Sequence, residues 1–168
     1  ARINVRAITF TAVMAALVFV FTYTFKIPFV NGYTHIGDSM IFLAIVFLGW
    51  KKAPLAAGIG AALADLIGGY SAWVAPTFII KFIMALICAL IMEKVIKNNK
   101  VVGYIVGAIL GGVWQIVAYK IFLFDKAYAF SSLPTLAIQT VVGVVVAAVF
   151  IVVFDKTKVT AKLKKMVG

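Results

Sequence analysis

Residues 36–69 read IGDSMIFLAIVFLGWKKAPLAAGIGAALADLIGG. Two apolar runs, 36–50 and 53–68, are divided by the corner Trp50-Lys51-Lys52-Ala53-Pro54. A hydrocarbon core of roughly 30 Å takes about 20 helical residues to cross, and shorter spans serve where protein neighbours shield them. Each run also carries one aspartate, Asp38 or Asp65. Two apolar helices that reverse at a basic, proline-marked corner belong in a bilayer, and the rest of the chain repeats the pattern.

Working outward, clusters of Lys, Pro, Gly and Asn divide the sequence into six apolar runs: 4–25, 36–50, 53–68, 76–93, 101–124 and 133–154. The fourth starts just after Pro76, and Pro134 falls in the first turn of the sixth, where proline is tolerated. Stretches such as 141–154 lack the every-second-residue alternation of a membrane β-barrel. The N-terminal basic residues and apolar run resemble a signal peptide, but a run of about 19 residues is too long for a signal core. The expected fold is therefore all-α, a polytopic membrane protein with six transmembrane helices in one bundle, a single domain over 1–168. Hydrophobic residues make up 65% of the chain and the mean hydropathy is +1.15, far above a soluble domain. The single cysteine, Cys88, lies in an apolar run, so no disulfide framework exists.

The net charge of +11 does not signal nucleic acid. With the N-terminus inside, one side of the membrane receives Arg2, Arg6, Lys51, Lys52, Lys94, Lys97, Lys100, Lys156, Lys158, Lys162, Lys164 and Lys165. The other side receives Lys26 and Lys126. That asymmetry predicts both termini in the cytoplasm of a prokaryotic cell, with the basic tail on anionic lipid.

Depth then identifies the unusual residues. At ~1.5 Å per helical residue, Asp38, Asp65 and Lys81 lie roughly 18–20 Å above the cytoplasmic face, and Gln115 and Gln139 at ~21–23 Å. Tyr119, Lys120 and His35 lie higher. A charged group on lipid costs ~2.5–3.5 kcal/mol, so several at one depth predict a shared, partly wet cavity open to the outside. Tyr33, Tyr70, Trp73, Trp114 and Tyr119 surround that level, and aromatic walls with a few convergent polar groups describe a small-molecule site. The candidate solute-binding residues are thus His35, Asp38, Asp65, Tyr70, Trp73, Lys81, Trp114, Gln115, Tyr119 and Gln139. Each has a plainer alternative. The aromatics serve equally as interfacial anchors, and Lys120 can snorkel outward beside Asp125. His35, in a loop, can cap the second helix with Asp38. Asp65 and Lys81 can form a structural ion pair. Small-residue stripes add a second signal. Gly103, Gly107 and Gly111, with Gly58 and Gly60, read as internal packing; Ala12 and Ala16, four apart on the first helix, present a smooth ridge.

Taken in order, Tyr33-Thr34-His35-Ile36-Gly37-Asp38-Ser39, Leu48-Gly49-Trp50-Lys51-Lys52 and Gly60-Ala61-Ala62-Leu63-Ala64-Asp65-Leu66-Ile67-Gly68-Gly69-Tyr70 resemble the substrate-binding S components of energy-coupling factor (ECF) transporters. With the Ala12/Ala16 ridge, the resemblance covers nearly the whole chain. It implies capture of a small water-soluble vitamin or precursor from outside, with the loop after the first helix as a lid. It also implies docking through Ala12 and Ala16 onto a membrane coupling (T) subunit driven by two ATPase subunits. Within the family the pattern is most similar to the hydroxymethylpyrimidine or pyridoxine group, with pantothenate a rival because a lysine can hold its carboxylate. No phosphate-binding Gly-x-x-x-x-Gly-Lys-Ser/Thr loop is present, so ATP falls to other chains. The competing class is a self-sufficient secondary transporter with Asp38 or Asp65 as proton site, against which stand the small size and the lack of an inverted repeat. One histidine, one cysteine and no metalloprotease or hydrolase motif argue against an enzyme, a metal or a cofactor.

Overall fold

The structure, a computed structural model, describes residues 5–24, 26–29, 32–35, 37–69 and 71–122. Further on it describes 137–138, 140–146, 148–149, 152–153, 156, 158, 162 and 165. Residues 26–29, 32–35, 100–101 and 119–122 are described as backbone only. In chain order the elements are α1 (Val5–Thr24), β1 (Lys26–Phe29), β2 (Gly32–His35), α2 (Gly37–Ile67), a 3-10 turn (Ser71–Trp73), α3 (Val74–Leu90) widening into a π-turn (Ile91–Val95), and α4 (Lys100–Phe122). Helical residues recur between 137 and 153. Among the described residues, three helical stretches are long and apolar enough to cross a membrane: Val5–Thr24, Gly37–Ile67 and Ser71–Val95. Val102–Ala118 is a shorter apolar helix.

In a helix with few water-facing groups, hydroxyls must bond locally. On α1, Thr9 Oγ1 donates to the Val5 carbonyl (2.8 Å) and Thr11 Oγ1 to the Ala7 carbonyl (2.7 Å). α2 consists of two helical segments that meet at Gly49, whose φ of 73° and ψ of −175° lie outside the helical region. A left-handed φ favours glycine. The position is also crowded, since a Cβ there would come within 2.6 Å of Glu93 Oε1. The break between the two segments therefore falls at Gly49 rather than in residues 50–54, and Lys51 and Lys52 are already helical. Beside it the Trp50 ring has Lys51 Nζ at 5.6 Å and Lys94 Nζ at 5.9 Å from its centroid, a cation–π arrangement.

α2 forms the hub. Two thirds of its most apolar stretch (67%) is buried inside the protein, against 28% for α1. Its alanines Ala53, Ala56, Ala57 and Ala61 are enclosed, with Phe42 and Ile41 on the first segment. Small residues set the helix separations, because lipid offers no apolar driving force for association and close packing must supply it. A Cβ on Gly60 would lie 2.5 Å from the Ala15 carbonyl oxygen of α1. On α4, Gly107 abuts the backbone of Cys88 and Gly111 the Met84 carbonyl of α3. The glycine stripe is internal packing, as its spacing suggests, and Cys88 is a buried free thiol. Large apolar side chains such as Ile8, Leu66, Ile109 and Val113 face outward.

Two sequence expectations change. The segment between the first two helices contains an antiparallel hairpin, pairing Lys26 with His35, Ile27 with Thr34, Pro28 with Tyr33 and Phe29 with Gly32. The described residues are therefore helical with one two-stranded ribbon, and His35 belongs to β2 rather than to a loop. The alternation that makes a strand runs for only four residues on each side, too short to register beside 20-residue apolar runs. Pro28 is tolerated because every strand of a two-stranded ribbon is an edge. The fourth apolar run also begins earlier than 76: α3 starts at Val74, placing Pro76 within its first turn.

Candidate functional site: a buried polar network beneath the hairpin

Ile36 alone separates β2 from α2, so Asp38 enters in the first turn of α2 directly after the hairpin. Lys81 comes from the middle of α3, Gln115 from α4 and Thr140 from the helical residues beyond 137. The Lys81 ammonium donates to Asp38 Oδ1 at 2.7 Å and also to Gln115 Oε1. Gln115 Nε2 donates to Asp38 Oδ2 and to Thr140 Oγ1, each at 3.2 Å. The amide orientation follows from the charges. Its oxygen faces the ammonium and its NH2 faces the carboxylate; the reverse would oppose donor to donor. Gly143 makes room for this arrangement, since a Cβ there would fall 2.8 Å from Asp38 Cβ.

All four groups are buried: Asp38 and Gln115 are 0% exposed and Lys81 is 1%. Removing two charges from water costs several kcal/mol per ion, recovered only when pairing and hydrogen bonding are complete. Here both Asp38 oxygens accept and both ends of Gln115 are engaged, which satisfies that condition. Helices far apart in sequence are thereby joined at one point. Nearby, Trp114 Nε1 donates to the Ile80 carbonyl (3.1 Å), fastening α4 to α3. Tyr104 donates its hydroxyl to the Val144 carbonyl (2.9 Å), fastening the last helical residues to α4.

Of the residues chosen from the sequence, the structure brings together Asp38, Lys81 and Gln115. Trp114 sits one residue along, partly buried, its indole N–H committed to the backbone. Asp65 is half-buried on the second segment of α2, and the ion pair of Lys81 is made with Asp38 instead. Trp73 is partly exposed in the 3-10 turn. Tyr70 and Gln139 lie outside the described residues, as do the side chains of His35 and Tyr119. Thr140 and Tyr104 were not singled out. Thr140 follows Gln139 directly, and the sequence alone does not say which of two adjacent polar residues turns inward. Among the described residues no cluster of His, Cys, Asp and Glu would hold a metal ion.

Ala12 and Ala16 are exposed on α1. They line an open groove against Lys52, Leu55, Ile59 and Leu63 of α2.

Residues 2–156, which include the network and this groove, match the family model of the ECF-type riboflavin transporter S component. The chain belongs to this family. An uncharacterised protein from Pyrococcus woesei ("Uncharacterized protein in gap 3'region") is 33% identical over 93 residues, 55% of this chain and 60% of the relative. The matched part thus spans about 60% of that relative's length. The S-component family fits the architecture, in which long apolar helices surround a few polar groups.

Proposed function

We propose that this chain is the solute-binding subunit of an ECF transporter, crossing the cell membrane six times with both termini cytoplasmic. Membership of the S-component family across residues 2–156 carries the reading. It captures a small heterocyclic vitamin from outside, and riboflavin, the solute in the family's description, is the first to test. Hydroxymethylpyrimidine and pyridoxine present the same kind of polar aromatic ring, and pantothenate offers a carboxylate to a lysine. The Asp38–Lys81–Gln115 network forms the floor of the site and the β1–β2 hairpin its cover. Trp73 and Trp114 are aromatic walls, with Asp65, Tyr70, Tyr119, Gln139 and His35 toward the mouth. The exposed ridge of Ala12 and Ala16 receives a membrane coupling subunit, and two ATPase subunits supply the energy.

A secondary transporter working through Asp38 fits less well. Both of its oxygens already accept hydrogen bonds, so a cycling proton would break the network at each turn. The test uses purified chain in detergent, titrated with riboflavin while flavin fluorescence is followed, with the three other vitamins in parallel. Saturable one-to-one binding of riboflavin is expected. Replacing Ala12 and Ala16 together by phenylalanine should leave that binding intact and abolish uptake in cells. Failure of all four vitamins to bind would sink the proposal, and normal uptake by the double variant would remove the docking role.

A further inference from the structure

The groove between α1 and the second segment of α2 has a volume of ≈ 730 Å³ and is lined along α1 from Ala7 to Phe19. At ~1.5 Å per residue that stretch is about 18 Å long, close to the ~15 Å of one leaflet's hydrocarbon. Two of its lining residues carry polar side chains, Thr11 and Lys52. The Thr11 hydroxyl is turned into its own helix, on the Ala7 carbonyl. Lys52 is different. It lines the groove beside the Ala7 end, is half-buried where Lys51 before it is exposed, and has no carboxylate partner among the described residues. Further positive charge gathers at this end. Arg6 is exposed next to Ala7, and Lys51 and Lys94 flank the Trp50 ring.

A trough floored by alanines, one leaflet long and ending in an ammonium with no carboxylate partner among the described residues, is complementary to an amphiphile with a single anionic head. Any helix of a coupling subunit laid in the same trough must itself offer Lys52 an acceptor, because a charge stranded in a dry interface is costly; until it does, an anionic lipid head supplies one. We propose that this groove binds one anionic phospholipid from the leaflet that holds the N-terminus of α1. Its acyl chain runs over Ala12 and Ala16, and its phosphodiester sits on Lys52. The lipid occupies the isolated chain and must leave before a coupling subunit reaches the alanines. The inference concerns the chain alone and holds whichever solute is carried.

The experiment is native mass spectrometry of the full chain in detergent. Phosphatidylglycerol or phosphatidylcholine with the same acyl chains is added. The chain should retain one phosphatidylglycerol with roughly five-fold preference, the effect of one cation at an anionic surface. Lys52→Gln should abolish the preference, Lys52→Arg should keep it, and Lys97→Gln, an exposed change away from the groove, should not alter it. Ala16→Phe, which fills the trough, should reduce retention of both lipids. Equal retention of the two lipids by the unmodified chain would overturn the proposal. So would equal losses in Lys52→Gln and Lys97→Gln, which would mark a diffuse basic surface, or undiminished retention in Ala16→Phe, which would place the lipid elsewhere.

Discussion

Lys81→Met tests the network most directly, because methionine keeps much of the stem and removes the charge. In the structure this change leaves the Asp38 carboxylate, 0% exposed, without the ammonium now 2.7 Å away. It also leaves Gln115 Oε1 without its donor. Removing one partner of a buried pair costs about 3–5 kcal/mol. The orphaned amide oxygen alone would cost ~1–3 kcal/mol, but it belongs to the same network and does not simply add. At about 2–4 °C per kcal/mol for a chain of this size, the apparent melting temperature in detergent should fall on the order of 10 °C. The double variant Lys81→Met with Asp38→Leu removes both charges and should recover most of the loss, since buried pairs are often replaceable by apolar residues of similar volume. Melting curves followed by tryptophan fluorescence provide the assay. A single variant within a degree or two of the original, or a double variant no better than the single, would refute the account of a mutually dependent pair.

Gly60→Val sets a side chain against the Ala15 carbonyl, and overpacking of this kind costs ~1–3 kcal/mol, so a lowered melting temperature is expected. Gly69→Val, at a position with nothing within 4 Å, should bring only the backbone strain of its positive φ, and equal losses in the two would refute the packing argument. For topology, Lys97→Cys and Lys162→Cys should be shielded from an impermeant thiol reagent in intact cells while Tyr70→Cys reacts. Strong labelling at both basic positions without lysis would reverse the orientation.

The helices were legible because apolar runs bounded by lysine, proline and glycine give length and ends directly. Gly49 shows the limit: the sequence predicts a reversal at Trp50-Lys51-Lys52-Ala53-Pro54, but only the non-helical backbone of Gly49 locates the break, and Glu93 leaves no room there for a larger residue. The hairpin escaped because four alternating residues carry little signal. At the site, depth could be counted from the helix ends, and three of the residues it selected, Asp38, Lys81 and Gln115, are hydrogen-bonded to one another in the structure. Azimuth could not be read. Helices apolar nearly all the way round show no preferred face, so the sequence offers Asp65 as the partner for Lys81 where the structure pairs it with Asp38. The choice was made by packing, through close approaches such as Gly143 over Asp38.

The separations within the network carry a consequence for how the chain is made. Asp38 precedes Lys81 by 43 residues and Gln115 by 77, so a ribosome releases the acid well before either of its partners. During that interval a carboxylate held within the hydrocarbon would have no counter-charge, at ~2.5–3.5 kcal/mol. Its position in the first turn of α2 offers a refuge, because the start of a helix can wait at the lipid headgroups beside the hairpin. Arrival of α3 then supplies the cation, α4 the amide, and the residues around Thr140 and Gly143 cover the finished knot. The vectorial order of synthesis thus coincides with the order in which each polar group acquires its complement.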